Sequence, residues 1–433
     1  MRRLVVAALA AAAAWMGQAG AQDQATTPVT YVQAGRLLAD PGDGKVLTAQ
    51  TLVVQDGRIL RIETGYTSAP GGRVVDLRDS FVLPGLIDSH VHLTQENGPE
   101  ARSQEVTLSK SDQAMFGVLH AKRTLEAGFT TVVDLAAENE AIFALRDAVA
   151  KGWVEGPRIL AAGYAVNPEG GHADVHGWRP EVMAALESPA ACSGADACRK
   201  VVRKQIQAGA DVIKIMATGG VLDQSSTGVD QQLTDEEMKA IVETAHAMGR
   251  QVAAHAHGTA GINAALRAGV DSIEHGTYLD DTSIALFKKT GAYLVPTVVA
   301  GVTVAEEAGR PGTWMSPQVR AKALQVGPNM LAMARRAHVA GVKMAFGTDS
   351  AVSPHGKNAR EFVLLVQAGF TPLDAIRMAT VWGAAHDRLS DEIGRLKPGM
   401  AADVIAVKGD PLSDVSELQR VSFVMKGGTV YKP

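Results

Sequence analysis

The sequence predicts an α/β protein built on a (β/α)8 TIM barrel, with a small β-sandwich domain formed by both chain ends. Eight short apolar runs alternate with helical patterns through the middle of the chain, turn-rich strand patterns occupy both ends, and polar residues recur where the apolar runs finish. Eight strand–helix units in series favour a closed barrel, and a doubly wound sheet is the alternative. The hydrophobic fraction of 46% over 433 residues is enough for a core of this size.

The first 21 residues have the pattern of a secretory signal peptide. Arg2 and Arg3 precede an apolar, Ala-rich stretch at 4–16, and Ala19-Gly20-Ala21 is a small-residue cleavage motif. We therefore expect cleavage after Ala21 and export to the periplasm or the medium. An uncleaved anchor is disfavoured because the apolar stretch is short for a bilayer span.

Residues 22–84 and 394–433 are expected to build the β-sandwich domain together. Both segments hold short alternating runs interrupted by Gly, Asp and Pro, and Asp56-Gly57 is the clearest hairpin turn.

The catalytic barrel is expected over residues 85–393. Between its strands, stretches such as 232–249 begin with acidic residues, carry apolar residues at helical spacing and end at Gly249, which predicts capped helices. The predicted strands are 85–90, 130–135, 158–163, 211–216, 251–255, 271–275, 292–296 and 343–349.

Charge and cysteine content restrict the partners and the compartment. The net charge of −4 and the low aromatic fraction of 5% disfavour nucleic acid as a partner, which leaves a small-molecule substrate without stable membrane association. Cys192 and Cys198 lie in a polar segment, and in an exported protein this spacing predicts a local disulfide bond. A metal site at this pair is less favoured because no histidine or third cysteine lies beside it.

Lys214 stands in the middle of the fourth predicted strand, 211–216, which reads as buried on both faces. A lone ammonium there would cost several kcal/mol unless it is paired, neutralised or chemically changed. Burial lowers the pKa of lysine, and a neutral amine can react with CO2 to form a carbamate. A carbamate would offer two oxygen ligands that can bridge two metal ions.

Potential metal ligands recur near the carboxyl ends of five predicted strands, where barrel enzymes carry their active sites. Each one alone could be a core histidine or a helix cap, but together they predict a site for two divalent metal ions. Imidazole and carboxylate ligands suit zinc best, with manganese or iron as alternatives. The candidates are His90, His92, Lys214, His255, His275 and Asp349.

These motifs resemble those of the amidohydrolase superfamily over nearly the whole chain after the signal peptide. Within it, the chain is most similar to the binuclear lysine-carbamate branch, which contains Xaa-Pro and Xaa-Arg dipeptidases, imidazolonepropionase-like proteins and ochratoxinase-type amidases. The resemblance rests on Pro-Gly-Leu-Ile-Asp-Ser-His-Val-His at 84–92, Lys-Ile-Met-Ala-Thr-Gly-Gly-Val-Leu at 214–222, His-Ala-His-Gly at 255–258, Ile-Glu-His-Gly at 273–276, Gly-Thr-Asp-Ser at 347–350 and the closing segment 394–403.

The resemblance implies a role for each ligand. His90 and His92 would hold the more buried metal ion together with Asp349, and His255 and His275 would hold the more exposed one. Carboxylated Lys214, formed with CO2, would bridge the two ions.

The implied reaction is amide hydrolysis by a hydroxide held between the two metal ions. Asp349 would accept the proton of the attacking water and return it to the leaving amine, and His257 would donate to the developing oxyanion. Dipeptides or N-acyl amino acids would be the substrates. A cyclic amidohydrolase or deaminase is the alternative within this class, and a non-catalytic barrel scaffold is the alternative outside it.

His172 and Leu233 are expected beside His257 on the substrate side. His172 lies in the Gly-rich loop 167–178, a predicted lid, where it would contact the substrate or hold the loop together. Leu233 stands where some related dipeptidases have a tyrosine for the substrate's terminal carboxylate, and a leucine there favours an apolar amino acid, as in ochratoxin-like amides. A homo-oligomer is expected by analogy with relatives.

Overall fold

The computed structural model describes residues 28–225 and 227–433. The predicted signal peptide, 1–21, lies outside these residues. Within the described ranges, no helix is both long and apolar enough to cross a membrane.

The described chain is a mixed α/β structure. Its strands are β1 Thr30–Leu37, β2 Leu47–Gln55, β3 Arg58–Thr64, β4 Arg73–Pro84, β5 Leu86–Val91, β6 Phe129–Asp134, β7 Arg158–Ala161, β8 Asn167–Pro168, β9 Ala191–Cys192, β10 Val212–Met216, β11 Gln251–Ala256, β12 Ser272–His275, β13 Tyr293–Val295, β14 Val404–Val407, β15 Phe423–Lys426 and β16 Thr429–Lys432.

Helices fill the intervals between the central strands. They are α1 Ala101–Thr107, α2 Lys110–Glu126, α3 Asn139–Ala150, α4 Pro180–Ala185, α5 Ala195–Ala208, α6 Asp235–Ala247, α7 Thr259–Ala268, α8 Asp281–Thr290, α9 Val298–Gly309, α10 Pro317–Val326, α11 Met330–Val339, α12 Arg360–Gln367, α13 Pro372–Arg377 and α14 Gly383–His386, with 3-10 turns at Gly327–Asn329 and Val415–Arg420 and a π-helical turn at Met378–Trp382.

Strands from both ends of the described chain share one seven-stranded sheet, in the order β16-β15-β14-β4-β1-β2-β3. The two ends meet where β4 pairs antiparallel with β14. Asp56 and Gly57, with φ of 49° and 77°, form the predicted turn between β2 and β3. These strands are hydrogen-bonded into a single sheet, whereas the expected sandwich has two.

A bulge bends this sheet around its own apolar core. Between the pairs Ala34–Leu77 and Arg36–Phe81, β4 has more residues than β1. Gly35 lies at the bulge, where a Cβ would stand 2.0 Å from the Arg78 carbonyl oxygen, so that only glycine fits. The core of the sheet includes Val32, Leu52, Val82, Val404 and Phe423.

The central strands form two parallel sheets, β5-β6-β7 and β10-β11-β12-β13. Helices cover them, and apolar side chains between the two layers build the main core. Isolated bridges extend the hydrogen bonding beyond the sheet edges, at Val166–Ile215, Leu294–Met344 and Val91–Ser350.

Seven of the eight predicted central strands are strands in the structure, but the eighth, 343–349, is not a regular strand. Met344 forms an isolated bridge with Leu294, and the amide of Asp349 donates to the carbonyl oxygen of His90 at 2.7 Å. Asp349 has a φ of 56°, in the left-handed region. The extended backbone therefore ends at Asp349, which limits regular pairing with the neighbouring strands.

The predicted capped helix at 232–249 is confirmed as α6. Thr234 Oγ1 accepts from the amide of Glu237 at 3.2 Å, and Glu237 Oε2 accepts from the amide of Thr234 at 2.9 Å, which completes a capping box. Cys192 and Cys198 are joined by a disulfide bond. The loop that it closes contacts this helix, because the Gly194 amide donates to Glu237 Oε1 at 2.7 Å.

Candidate metal centre

Four predicted histidine ligands from three strands form one compact group. His90 comes from β5 and His92 directly follows that strand, whereas His255 comes from β11 and His275 from β12. The His90 ring centroid lies 5.2 Å from those of both His92 and His275, and the His255 and His275 centroids are 4.7 Å apart. All four side chains are largely buried.

Asp349 completes the first of two adjacent sets of potential ligand atoms. Its Oδ1 lies 3.0 Å from His92 Nε2 and 3.5 Å from His90 Nε2. Ligand atoms of these three residues lie within 4.8 Å of one another, and the same is true of His255, His257 and His275. Two neighbouring sets of neutral nitrogen and carboxylate donors fit two divalent cations.

Lys214 is buried in β10, with 2% of its surface exposed. It pairs in register with Ala253 of β11, two residues before His255. Among the described residues, no hydrogen bond or ion pair involves Lys214 Nζ within normal distance. Burial lowers the pKa of Lys214, against the opposing charges of Glu274 and Asp349. This shift raises the fraction of the neutral amine that carbamate formation needs.

Outer hydrogen bonds fix the orientation of the histidines of the first set. His90 Nδ1 lies 2.8 Å from Glu274 Oε2, and His92 Nδ1 lies 3.0 Å from the carbonyl oxygen of Ala136. Glu274 is completely buried, and its other oxygen accepts from Ser272 Oγ at 2.5 Å. A partner on one ring nitrogen leaves the other nitrogen for a metal ion, which is the usual arrangement around metal-binding histidines.

Threonine hydroxyls hold the rings of two histidines in the second set. His257 Nδ1 lies 2.7 Å from Thr277 Oγ1, and His275 Nδ1 lies 2.7 Å from Thr297 Oγ1. His255 differs, because its Nε2 lies 3.2 Å from the carbonyl oxygen of Gly219, which leaves Nδ1 as its available donor.

Burial keeps most of these imidazoles neutral. Desolvation lowers the pKa of His90, His255 and His275, and it lowers the pKa of His257 to about 3. Burial also disfavours the charged form of His92, but the hydrogen bond and charge of Asp349 outweigh it and raise its pKa. Neutral imidazole is the form that binds metal ions.

Two of the candidate ligands have left-handed backbones. His275 has a φ of 71° and Asp349 a φ of 56°, conformations that cost energy in residues other than glycine. Both residues stand where a strand segment ends. Because the backbone leaves the extended form at His275, Glu274 and His275 can both contact the histidine group.

His172 lies over the second set of ligands. Its ring centroid is 4.5 Å from that of His255, and its Nδ1 lies 2.6 Å from Asp223 Oδ2. Lys322 Nζ donates to Asp223 Oδ1 at 2.7 Å, so a buried ion pair supports the histidine. A Cβ on Gly220 would stand 1.9 Å from His172 Cε1, so that a side chain at that position would displace the ring.

Leu233 is not brought to this group of residues. Its side chain has no exposed surface and packs in the main apolar core, directly before Thr234, the N-cap of α6. Sequence reasoning assigned Leu233 to substrate recognition, and the structure places it in a packing role instead.

Sequence reasoning missed three charged residues that support the site: Glu274, Asp223 and Lys322. The sequence does contain a signal for Glu274, because a carboxylate within a short buried strand needs a polar partner, as the buried ammonium of Lys214 does. Asp223 and Lys322 lie in separate segments without local periodicity, and no sequence signal joins them to His172.

Residues 81–431 match the amidohydrolase family, and the chain belongs to that family. It is 33% identical to the ochratoxinase of Aspergillus niger over 436 residues, which cover 93% of this chain and 87% of that protein. A crystal structure of a Xaa-Pro dipeptidase with bound methionine in the active site aligns with a TM-score of 0.89 and 38% identity, over 94% of this chain and 100% of that one. The imidazolonepropionase of Micrococcus luteus is 25% identical, over 84% of this chain and 88% of that protein.

These similarities define a hydrolytic enzyme with a TIM-barrel-like domain. The predicted resemblance to amidohydrolases of the dipeptidase and ochratoxinase type is confirmed. Members of the family generally bind divalent metal ions, and the two sets of donor atoms fit that property.

Proposed function

We propose that the enzyme hydrolyses an amide that joins an acyl or aminoacyl group to a C-terminal, apolar amino acid, with two zinc ions. The observation that carries this proposal is the pair of adjacent groups, His90-His92-Asp349 and His255-His257-His275. In the second group, His255 and His275 would hold the ion and His257 would be left to the substrate. Lys214 is buried in β10, which pairs with the strand that carries His255. A carbamate on Lys214 would supply two further oxygen ligands for the ions.

We also infer that the two central sheets close into one eight-stranded barrel. The bridge between Val166 and Ile215 supports this at one junction, and the bridges of Leu294 with Met344 and of Val91 with Ser350 support it at the other. The segment 343–350 would then act as the eighth strand, and all candidate ligands would share one end of the barrel.

Each residue has a distinct role in this reaction. Bound metal ions would supply a hydroxide near neutral pH and polarise the scissile carbonyl. Burial acts to raise the pKa of Asp349, but His90 and His92 outweigh it and lower that pKa. The carboxylate is therefore ionised and can accept the proton of the attacking water. It would then return that proton to the leaving amine.

His257 would bind the carbonyl oxygen of the substrate. Thr277 Oγ1, 2.7 Å from His257 Nδ1, holds the ring, and a proton on the other ring nitrogen would be donated to the developing oxyanion. His172, held by Asp223 beside His255, would contact the substrate from the lid.

The substrate class is supported by the relatives. An ochratoxinase and a Xaa-Pro dipeptidase both align over almost the whole chain. The preference for an apolar amino acid rests on this likeness alone, because Leu233 is part of the core. The more distant imidazolonepropionase favours cyclic amides as the second candidate function.

A hydrolysis screen separates these functions. Zinc-loaded enzyme is tested with N-acyl and dipeptidyl amino acids that differ at the C-terminal residue, and with lactams and imidazolones. We expect turnover of the linear amides, with phenylalanine or methionine preferred over charged residues. Turnover of cyclic amides alone would contradict the proposal, and fewer than one metal ion per chain would indicate a non-catalytic scaffold.

A further inference from the structure

A third group of metal-binding side chain types lies apart from the two sets described above. It consists of Glu96, in the loop after β5, His120, in α2, and His355, in the loop after Asp349. Potential ligand atoms of these three residues lie within 4.8 Å of one another. The two imidazole rings are stacked, with centroids 4.2 Å apart.

Each histidine of this group donates one ring N–H to a backbone carbonyl. His120 Nδ1 lies 2.8 Å from the carbonyl oxygen of Leu93, and His355 Nε2 lies 2.9 Å from that of Gln95. In a neutral imidazole, the other nitrogen then carries a lone pair. This is the arrangement that prepares a histidine for metal binding.

His355 has a buried lone pair without a partner. The side chain is 5% exposed, and its Nδ1 has no hydrogen-bond partner among the described residues. Burial, together with the nearby His120, lowers the pKa of His355 to about 3, so that protonation does not satisfy this nitrogen at neutral pH. A buried acceptor without a donor is unfavourable, and a cation at this position would remove that cost.

Glu96 supplies a negative charge to the group. Its Oε2 accepts from the amide of His355 at 2.9 Å, and its side chain is half-buried. Ligand atoms around a tetrahedral zinc ion are about 3.4 Å apart, so binding would draw the three side chains inward. Glu96 can make most of this movement because it is the least buried of the three.

We propose that Glu96, His120 and His355 form a binding site for a zinc-type divalent cation, separate from the catalytic centre. The cation would join the loop after β5 to the loop after Asp349. Two backbone hydrogen bonds already connect these loops, from the His92 amide to the Ser350 carbonyl and from the Asn97 amide to the Ala351 carbonyl, both at 2.8 Å. The loop after β5 also carries His92 of the catalytic centre.

Metal counting tests this site with the whole chain. Wild type, His355→Gln, Glu96→Gln and the control His246→Gln are stripped with a chelator, dialysed against Zn²⁺ and counted by mass spectrometry of the metal. His246 is a suitable control because it is an exposed histidine that also has a carboxylate partner, Asp271, at 2.8 Å. We expect one zinc ion fewer per chain in His355→Gln and in Glu96→Gln, and no change in His246→Gln.

The result is a difference between variants, so it does not depend on the metal content or the activity of the catalytic centre. Equal numbers of zinc ions in all four proteins would show that the group binds no zinc and would overturn the proposal. An equal loss in His246→Gln would show adventitious surface binding and would also overturn it. Anomalous diffraction at the zinc edge from wild-type crystals needs no variant: a peak beside His355 Nδ1 is expected, and its absence would contradict the site.

Discussion

Replacement of Gly220 by alanine should disturb the active site through His172. An added Cβ would stand 1.9 Å from His172 Cε1, 2.2 Å from Nε2 and 2.3 Å from Nδ1, whereas ordinary contacts begin at 3.4 Å. The ring must therefore move by at least 3.4 − 1.9 = 1.5 Å. The φ of Gly220 is outside the left-handed region, so alanine brings no backbone strain of its own.

The magnitude follows from the hydrogen bond that this movement breaks. His172 Nδ1 lies 2.6 Å from the Asp223 carboxylate, and a hydrogen bond to a charged group contributes about 1.5–3 kcal/mol. If His172 contacts the substrate in the transition state, kcat/KM should fall about ten- to 150-fold, because each 1.36 kcal/mol corresponds to about a factor of ten. The melting temperature should change little, since the lid loop is only partly buried.

The assay compares kcat/KM for an N-acyl-phenylalanine substrate in wild type, Gly220→Ala, His172→Ala and the double variant. We expect Gly220→Ala to have no further effect once His172 is removed. Gly309→Ala is the matched control, because a Cβ there has no neighbour within 4 Å and the φ is ordinary. Wild-type activity in Gly220→Ala, or the same fold loss in the His172→Ala background, would refute the reasoning.

The remaining predictions concern four buried titratable groups. Asp349→Asn should retain most of the bound zinc while kcat falls by about 10²–10⁴-fold; near-normal turnover would contradict its role in proton transfer. Lys214→Ala, or reconstitution of wild type without CO2, should reduce metal content and activity together, and survival of both would make the lysine structural. Glu274→Gln should weaken zinc binding by about 10–100-fold in a chelator competition, because the carboxylate orients His90; an unchanged affinity would exclude that role. Burial raises the pKa of Asp387 to about 8, so the folded state favours the neutral carboxyl. The resulting contribution to the free energy of unfolding is fully present below the usual carboxyl pKa and is lost as the pH rises to about 8. Asp387→Asn should therefore make the melting temperature less dependent on pH between about 5 and 8, and parallel curves for variant and wild type would contradict this.

The sequence predicted the strand ends that carry the candidate histidines, His90, His92, His255 and His275. The periodicity of apolar residues is a local property of the sequence, and the geometry of a barrel is the same for every member of that fold. Short apolar runs mark the strands, and the residues that follow them meet at one end of a parallel sheet. The eighth run is not a regular strand because two of its amides bond to groups other than a neighbouring strand's backbone, Phe346 N to the Met378 carbonyl oxygen and Thr348 N to Asp88 Oδ1. No residue pattern indicates these contacts.

Contacts between distant loops could not be predicted. The partnership of His172 with Asp223 joins two loops, and the support of Asp223 by Lys322 comes from α10. Leu233 shows the opposite problem, because the resemblance to related dipeptidases suggested a binding role for a position that the helix cap and core packing already determine. Such side chain partnerships depend on tertiary packing, which a single sequence does not record.

The pairing of β4 with β14 and the hydrogen bond from Asp349 to His90 have a consequence for the order of folding. Both join segments that lie far apart in the chain, so that one is made long after the other. Contacts of such high sequence separation are slow to form, since the loop-closure entropy must be overcome first. During translation, the emerging chain therefore holds His90 and His92 for most of its synthesis without the partners that complete their site. Metal loading then has to wait until the segment with Asp349 has been made and has joined them.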